Sequence, residues 1–180
     1  MSDVDANADA SDGPEAESGS TDPRADPTEP RAESDPHVEV VRARGHENVT
    51  AEHASTFEFT TDEWLTPAGD CILGVAADRT PRDFSAGFRE ACRDADATIT
   101  ATITVEGDGD EGTHTEAIVG RGDPGLALVD DRSMVGRTSG YTDDERTILV
   151  DADAAAADLD RDLVAALADG ADVELRLEVR

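Results

Sequence analysis

Between Thr98 and Val105 the chain alternates without a break, with Thr98, Thr100, Thr102 and Thr104 on one side and Ile99, Ala101, Ile103 and Val105 on the other. A period of two sends these residues to opposite faces of an extended backbone, one polar and β-branched, the other apolar. A sheet buried on one face satisfies that pattern. The C-terminal segment repeats it, Val173, Leu175, Leu177 and Val179 alternating with Glu174, Arg176 and Glu178.

Other segments read the same way. His37 to Arg44 predicts a strand, and Gly45-His46-Glu47-Asn48 a turn. From Val49 to Phe59 the odd positions are mostly apolar and the even ones mostly polar, which predicts a strand with His53 on its core face as a buried, hydrogen-bonded histidine. Cys71 to Ala77 is a short apolar strand after the turn Leu65 to Asp70. Gly107 to Gly112 can reverse the Thr98 strand into Thr113 to Val119, as a hairpin turn on an acidic surface rather than a calcium loop. Further short strands are predicted at Leu126 to Val129, Ser133 to Arg137 and Arg146 to Val150.

Two helices complete the set. Thr80-Pro81 supplies an N-cap and a first-turn proline ahead of Phe84, Phe88, Ala91 and Cys92, and Ala154 to Ala168 carries the stripe Leu159, Leu163, Val164 and Leu167 before Asp169-Gly170. Seven to nine strands with two short helices give a mainly β, α+β domain over residues 37 to 180: an antiparallel β-sandwich or partly closed barrel. A doubly wound α/β sheet fits less well, because two helices cannot cover both of its faces. No internal repeat is visible along the sequence.

Residues 1 to 36 differ from all of this. They hold five of the eight prolines and, of the large aliphatic and phenylalanine residues, Val4 alone. Such a segment cannot bury enough surface to offset the entropy of ordering, and it reads as a disordered acidic tail.

Charge sets the environment. All 15 cations are arginine, there is no lysine, and 43 carboxylates give a net charge of −28. A domain so charged repels itself in dilute buffer, whereas at about 1 M salt the screening length falls to about 3 Å. The composition therefore points to a molar-salt cytosol, as in a halophilic archaeon, where most acids are solvated surface groups. The start of the chain has neither the charge nor the apolar run of a signal peptide, no stretch is apolar enough to span a membrane, and the two cysteines read as reduced thiols of a cytoplasmic protein.

The run Gly45-His46-Glu47-Asn48-Val49, His53, Phe57-Glu58-Phe59-Thr60 and Leu65-Thr66-Pro67-Ala68-Gly69-Asp70-Cys71-Ile72-Leu73-Gly74-Val75-Ala76-Ala77-Asp78 resembles an uncharacterised archaeal family, domain of unknown function 371. The resemblance continues through Gly120 to Pro124, Arg146-Thr147 and Asp153 to Leu163. It implies a mainly β domain and no assigned activity. Asp123 stands where the family pattern has histidine before the proline, and acids precede Arg146 where it has cysteine. The resemblance therefore implies no metal site here.

Three function classes follow. The leading one is a binding module for a small polar ligand, with His46, Asn48, Asp70, Asp78 and Arg137 converging at one loop end, since turns on a β scaffold present binding groups. The second is a small hydrolase or transferase using Asp70 as base with His46 or Cys71 nearby, although Cys71 and Cys92 also read as apolar fillers. The third is an RNA-binding module, opposed by the net charge and by an aromatic content of 3 %. Arg121, Arg132, Arg137 and Arg146 share a loop-rich stretch with six acids, where scattered ion pairing competes with a phosphate grip. The cofactor and the ligand are both left open.

Overall fold

A computed structural model describes residues 37–109 and 112–180. The acidic tail expected over residues 1–36 lies outside the described residues. Eight strands and two helices follow in the order β1 (His37–Arg44), β2 (Thr56–Thr60), β3 (Ile72–Gly74), α1 (Ala86–Cys92), β4 (Thr98–Glu106), β5 (Thr113–Arg121), β6 (Ser133–Arg137), β7 (Thr147–Leu149), α2 (Arg161–Ala168) and β8 (Asp172–Val179). The domain is mostly β with two helices.

Two four-stranded sheets form. The first is antiparallel throughout, in the order β1-β8-β4-β5, and the second has the order β3-β2-β6-β7. Its central pair β2–β6 is antiparallel, but β2–β3 and β6–β7 run parallel, so the sandwich is antiparallel in one layer and mixed in the other. Single bridges, Arg44 to Val75 and Arg121 to Val150, tie the sheet edges together. They do not extend into ladders, and the sheets do not close into a barrel. The core lies between the layers, with Phe57 and Phe59 from the second sheet against Ile99, Ile103, Leu175 and Leu177 from the first.

Several segments depart from the expected pattern. Of the predicted Val49-to-Phe59 strand, only the part from Thr56 onward is pairing strand, as β2. Ala51 has φ 47°, and the Glu52 and His53 amides donate to the Asp70 carbonyl, so the alternation there belongs to a shaped loop. Leu126 to Val129 is likewise a loop, with Leu128 at φ 54°. Both helices start late. Pro81–Asp83 and Ala156–Asp158 are separate 3-10 turns, each closed by its aspartate accepting the amide of the residue before the turn. Each helix then begins afresh at its own N-cap, Ser85 or Asp160.

Those paired departures expose a two-fold internal repeat that the sequence reading missed. Elements β1, β2, β3, α1 and β4 recur as β5, β6, β7, α2 and β8, with matching bonds between them. Arg44 and Val75 exchange amides at 3.0 and 2.8 Å, and Arg121 and Val150 do so at 2.8 and 3.1 Å. Asp78 brackets the β1 edge, donating its amide to the Arg42 carbonyl and accepting the Arg42 amide on Oδ1, while Asp153 does the same to Val119 of β5. Glu39 accepts the Ser85 amide and Glu116 the Asp160 amide, both at 2.7 Å. The halves also interlock. Gly45 packs against the Leu167 carbonyl of α2 and Gly122 against the Cys92 and Asp94 carbonyls beside α1, so tightly that neither has room for a Cβ.

Candidate functional site

The five residues expected to converge do not share one cluster of side-chain bonds. Arg137, at the end of β6, points its guanidinium across the outer face of the second sheet, where Nε donates to the Thr147 hydroxyl at 2.8 Å and Nη2 to Asp144 at 2.6 Å. The Tyr141 ring lies 4.9 Å from it. Arg146 links Asp144 to Glu58 of β2, and Glu58 accepts the Cys71 thiol at 3.4 Å. Asp70 adjoins this group through Cys71, and its own carbonyl takes the Glu52 and His53 amides. The cluster is internally matched. Burial works against the Asp144 carboxylate, but the Thr147 hydroxyl and amide and the Arg137 guanidinium outweigh it and hold Asp144 below the usual carboxylate range.

Cys71 reads differently from a nucleophile here. Burial and then the Glu58 carboxylate push its thiol up to about 11, so it stays protonated at neutral pH. Among the described residues no bond joins His46 to Asp70 or Cys71. The His46 ring instead accepts the Asn48 amide at 3.1 Å, and the Asn48 side chain donates to the Leu65 carbonyl at 2.7 Å. His53 is half-buried rather than core, its Nδ1 accepting the Thr56 amide at 3.2 Å. Cys92 is the apolar filler expected of it, fully buried, its thiol pushed up to about 12 by that burial.

Asp78, through its bonds to the Arg42 backbone, adjoins a second place. This is a cleft of about 590 Å³ across the ends of β1, β8 and β4, in which Arg42, Arg44 and Ala76 meet Glu106, Asp172 and Glu174. Its size suits a small molecule. Arg42 pairs with Glu174 at 3.4 Å. Arg44, opposite Asp172 in the β1–β8 register, has no ion-pair partner among the described residues. Arg89 and Arg161 share that lack among the described residues, but neither lines this cleft; Arg121, Arg132, Arg137 and Arg146 are matched to Asp151, Asp62, Asp144 and Glu58, the scattered pairing the sequence allowed.

Sequence reasoning missed Arg44, because one arginine at a strand end looks like any solvated cation. It also passed over Trp64, although the single tryptophan of the chain directly follows the polar run Thr60 to Glu63. Trp64 is 64 % exposed and Tyr141 49 %, at matching positions after β2 and β6. The four phenylalanines are all buried.

Among the described residues no three His, Cys, Asp or Glu side chains gather as metal ligands would, and no helix is long and apolar enough to cross a membrane. A family model described as a domain of unknown function (DUF371) matches residues 41–180. An uncharacterized protein of Methanocaldococcus jannaschii is 37 % identical over 140 residues, spanning 78 % of this chain and 98 % of that relative.

Proposed function

The chain belongs to the DUF371 family, whose description assigns no activity, and from its own geometry we propose that it is a binding module for a small polar ligand seated in the cleft beside Arg44. One observation carries this reading. Arg44 lines the cleft of about 590 Å³ with no ion-pair partner among the described residues, in a surface where carboxylates outnumber cations. A guanidinium presents a planar fork of donors that matches an anionic group in two bonds, so an unpaired one at a cleft is a recognition group. The acids around it limit what can enter, because a polyanion would meet Glu106, Asp172 and Glu174 at once.

A second reading has its own support. The exposed Trp64 and Tyr141 offer two stacking surfaces, with the Arg137 guanidinium against one of them, which favours single-stranded RNA. The charge of −28 opposes it.

A thermal-shift panel in molar KCl separates the two, using amino acids, nucleotides, inorganic phosphate and oligouridylate as probes. For the cleft reading, a small polar probe at about one hundred times its Kd raises Tm by about 5–10 °C, and Arg44→Ala abolishes the rise. Stabilisation by oligouridylate alone, with quenched Trp64 fluorescence, would replace that reading with RNA binding.

A further inference from the structure

We propose that the room over Ala76 beside Arg44 is a seat for the carboxylate of a small amino-carboxylate zwitterion, an inference that rests on the cleft reading above and names its ligand class. The internal repeat supplies the argument. Arg44 and Arg121 end matching strands and make matching bridges to Val75 and Val150, so the next residues, Ala76 and Asp151, occupy equivalent backbone positions. Their backbones agree in detail: φ is 52° at Ala76 and 48° at Asp151. Their amides donate to equivalent loops, at the carbonyls of Asp62 and Ser139.

The side chains then diverge. Asp151 sets its carboxylate on the Arg121 guanidinium. Ala76 carries a methyl group at the same place, so Arg44 keeps its donors for something else, and the space that a carboxylate fills in the second half belongs to the cleft in the first. An alanine is also a poor choice on local grounds, since positive φ is tolerated better by aspartate than by alanine. The first half therefore holds the backbone shape of the pair without its acid.

Charge fixes the rest of the ligand. Asp172 faces Arg44 across the strand pair, and Glu106 lines the same cleft. Neither acid has an ion-pair partner among the described residues, so an ammonium group on a ligand whose carboxylate sits on Arg44 meets them favourably. Phosphate, with between one and two negative charges at neutral pH and no ammonium group, meets the same acids unfavourably. The geometry thus selects a molecule carrying one carboxylate and one ammonium.

The test uses the full chain and titration calorimetry in molar KCl, with L-alanine, L-ornithine and γ-aminobutyrate as probes and acetate, methylammonium and inorganic phosphate as controls. At least one zwitterion binds the wild type, and each half-molecule control binds at least about tenfold more weakly, since one ionic contact less costs about that factor. Ala76→Asp places the missing carboxylate on Arg44. It raises the Tm of the ligand-free protein by about 2–4 °C and weakens zwitterion binding by more than about tenfold. Arg44→Ala loses binding with an unchanged circular dichroism spectrum. Zwitterion binding by Ala76→Asp at wild-type strength overturns the seat and leaves the cleft reading standing, as does phosphate binding more tightly than every zwitterion. No binding of any probe to the wild type removes both.

Discussion

Residues 37–106 and 113–179 trace the same path, and they differ in where their charges meet. In the second half Arg121 rests on Asp151, and Arg137, Asp144 and Thr147 knit the outer face of β6 and β7. In the first half Ala76, Thr60, Gly69 and Ile72 stand at the corresponding positions, so neither network forms. What the halves share is a small set of carboxylates bonded to backbone amides: Asp78 and Asp153 at the sheet edges, Asp83 and Asp158 at the 3-10 turns, Glu39 and Glu116 beneath the helix starts. These amides lie at a sheet edge, a turn or a helix start, where no ladder or helix carbonyl takes them, so the acids that accept them are constrained by structure. Asp151 meets only the Arg121 side chain and is free to diverge, whereas Asp144, which diverges too, also accepts the Arg146 and Thr147 amides. A difference at a residue bonded only to side chains, as at Ala76 and Asp151, marks a position released from structural duty, which is where binding chemistry can be installed.

The sharpest way to break this equivalence is at the interlock. Gly45 and Gly122 each lie against the C-terminal carbonyls beside the other half's helix, and an added Cβ collides with backbone that cannot rotate away. Gly45→Ala and Gly122→Ala each destabilise by about 3 kcal/mol, lowering Tm by about 6–12 °C. Equal losses in thermal unfolding support a shared role. A substantial loss at one glycine and none at the other would show that the two contacts are not equivalent.

The edge brackets give a smaller effect. Asp78→Ala and Asp153→Ala each remove an acceptor from an edge-strand amide, at Arg42 and Val119, and each costs about 1 kcal/mol in urea unfolding. Because Asp78 also lies beside the cleft, the comparison sharpens its assignment. If Asp78→Ala weakens ligand binding far more than its stability loss accounts for, Asp78 serves the site as well as the sheet.

How much of this was readable beforehand follows from what each pattern encodes. The alternations in β4 and β8 and the turn between β4 and β5 are legible because a half-buried strand demands period two and a reversal demands glycine; Gly109 and Gly112 do take positive φ. Val49 to Ser55 mimics that period without being a strand, since a loop whose amides bond to the Asp70 carbonyl needs only a few apolar anchors, and Val49 and Ala51 provide them. The helices begin later than their stripes because Asp83 and Asp158 close a turn first. The repeat was hidden by divergent side chains, yet a trace survives in Val75-x-Ala77-Asp78 and Asp83-Phe84 against Val150-x-Ala152-Asp153 and Asp158-Leu159. Those are the backbone-binding acids and the core residues beside them. Of the site, Arg137, Asp70 and Cys71 share one face, but Arg44 gained meaning only beside its counterpart Arg121.

The smallest expected effect compares the two turn-closing aspartates. Both the amide and the hydroxyl of Thr80 reach Asp83 Oδ2, at 3.0 and 3.1 Å, and these bonds hold the Asp83 carboxyl below its ordinary range. In the second half Ala155 stands where Thr80 does, and Asp158 receives its amide alone, at 2.9 Å. A carboxylate whose folded pKa is depressed contributes stability that is complete above its unfolded value of about 3.9 and is lost as pH falls through the folded value. Asp83 is exposed, so screening reduces the term, and Asp83→Asn costs about 0.5 kcal/mol at neutral pH. Urea unfolding of wild type and Asp83→Asn at about pH 7 and about pH 2 shows the gap closing in acid, when both side chains are neutral. Ala155→Thr supplies the second half with the missing hydroxyl and adds about 0.3 kcal/mol in the same urea unfolding measurement. A gap for Asp83→Asn that is the same at both pH values would show that shape, and not charge, closes the first turn.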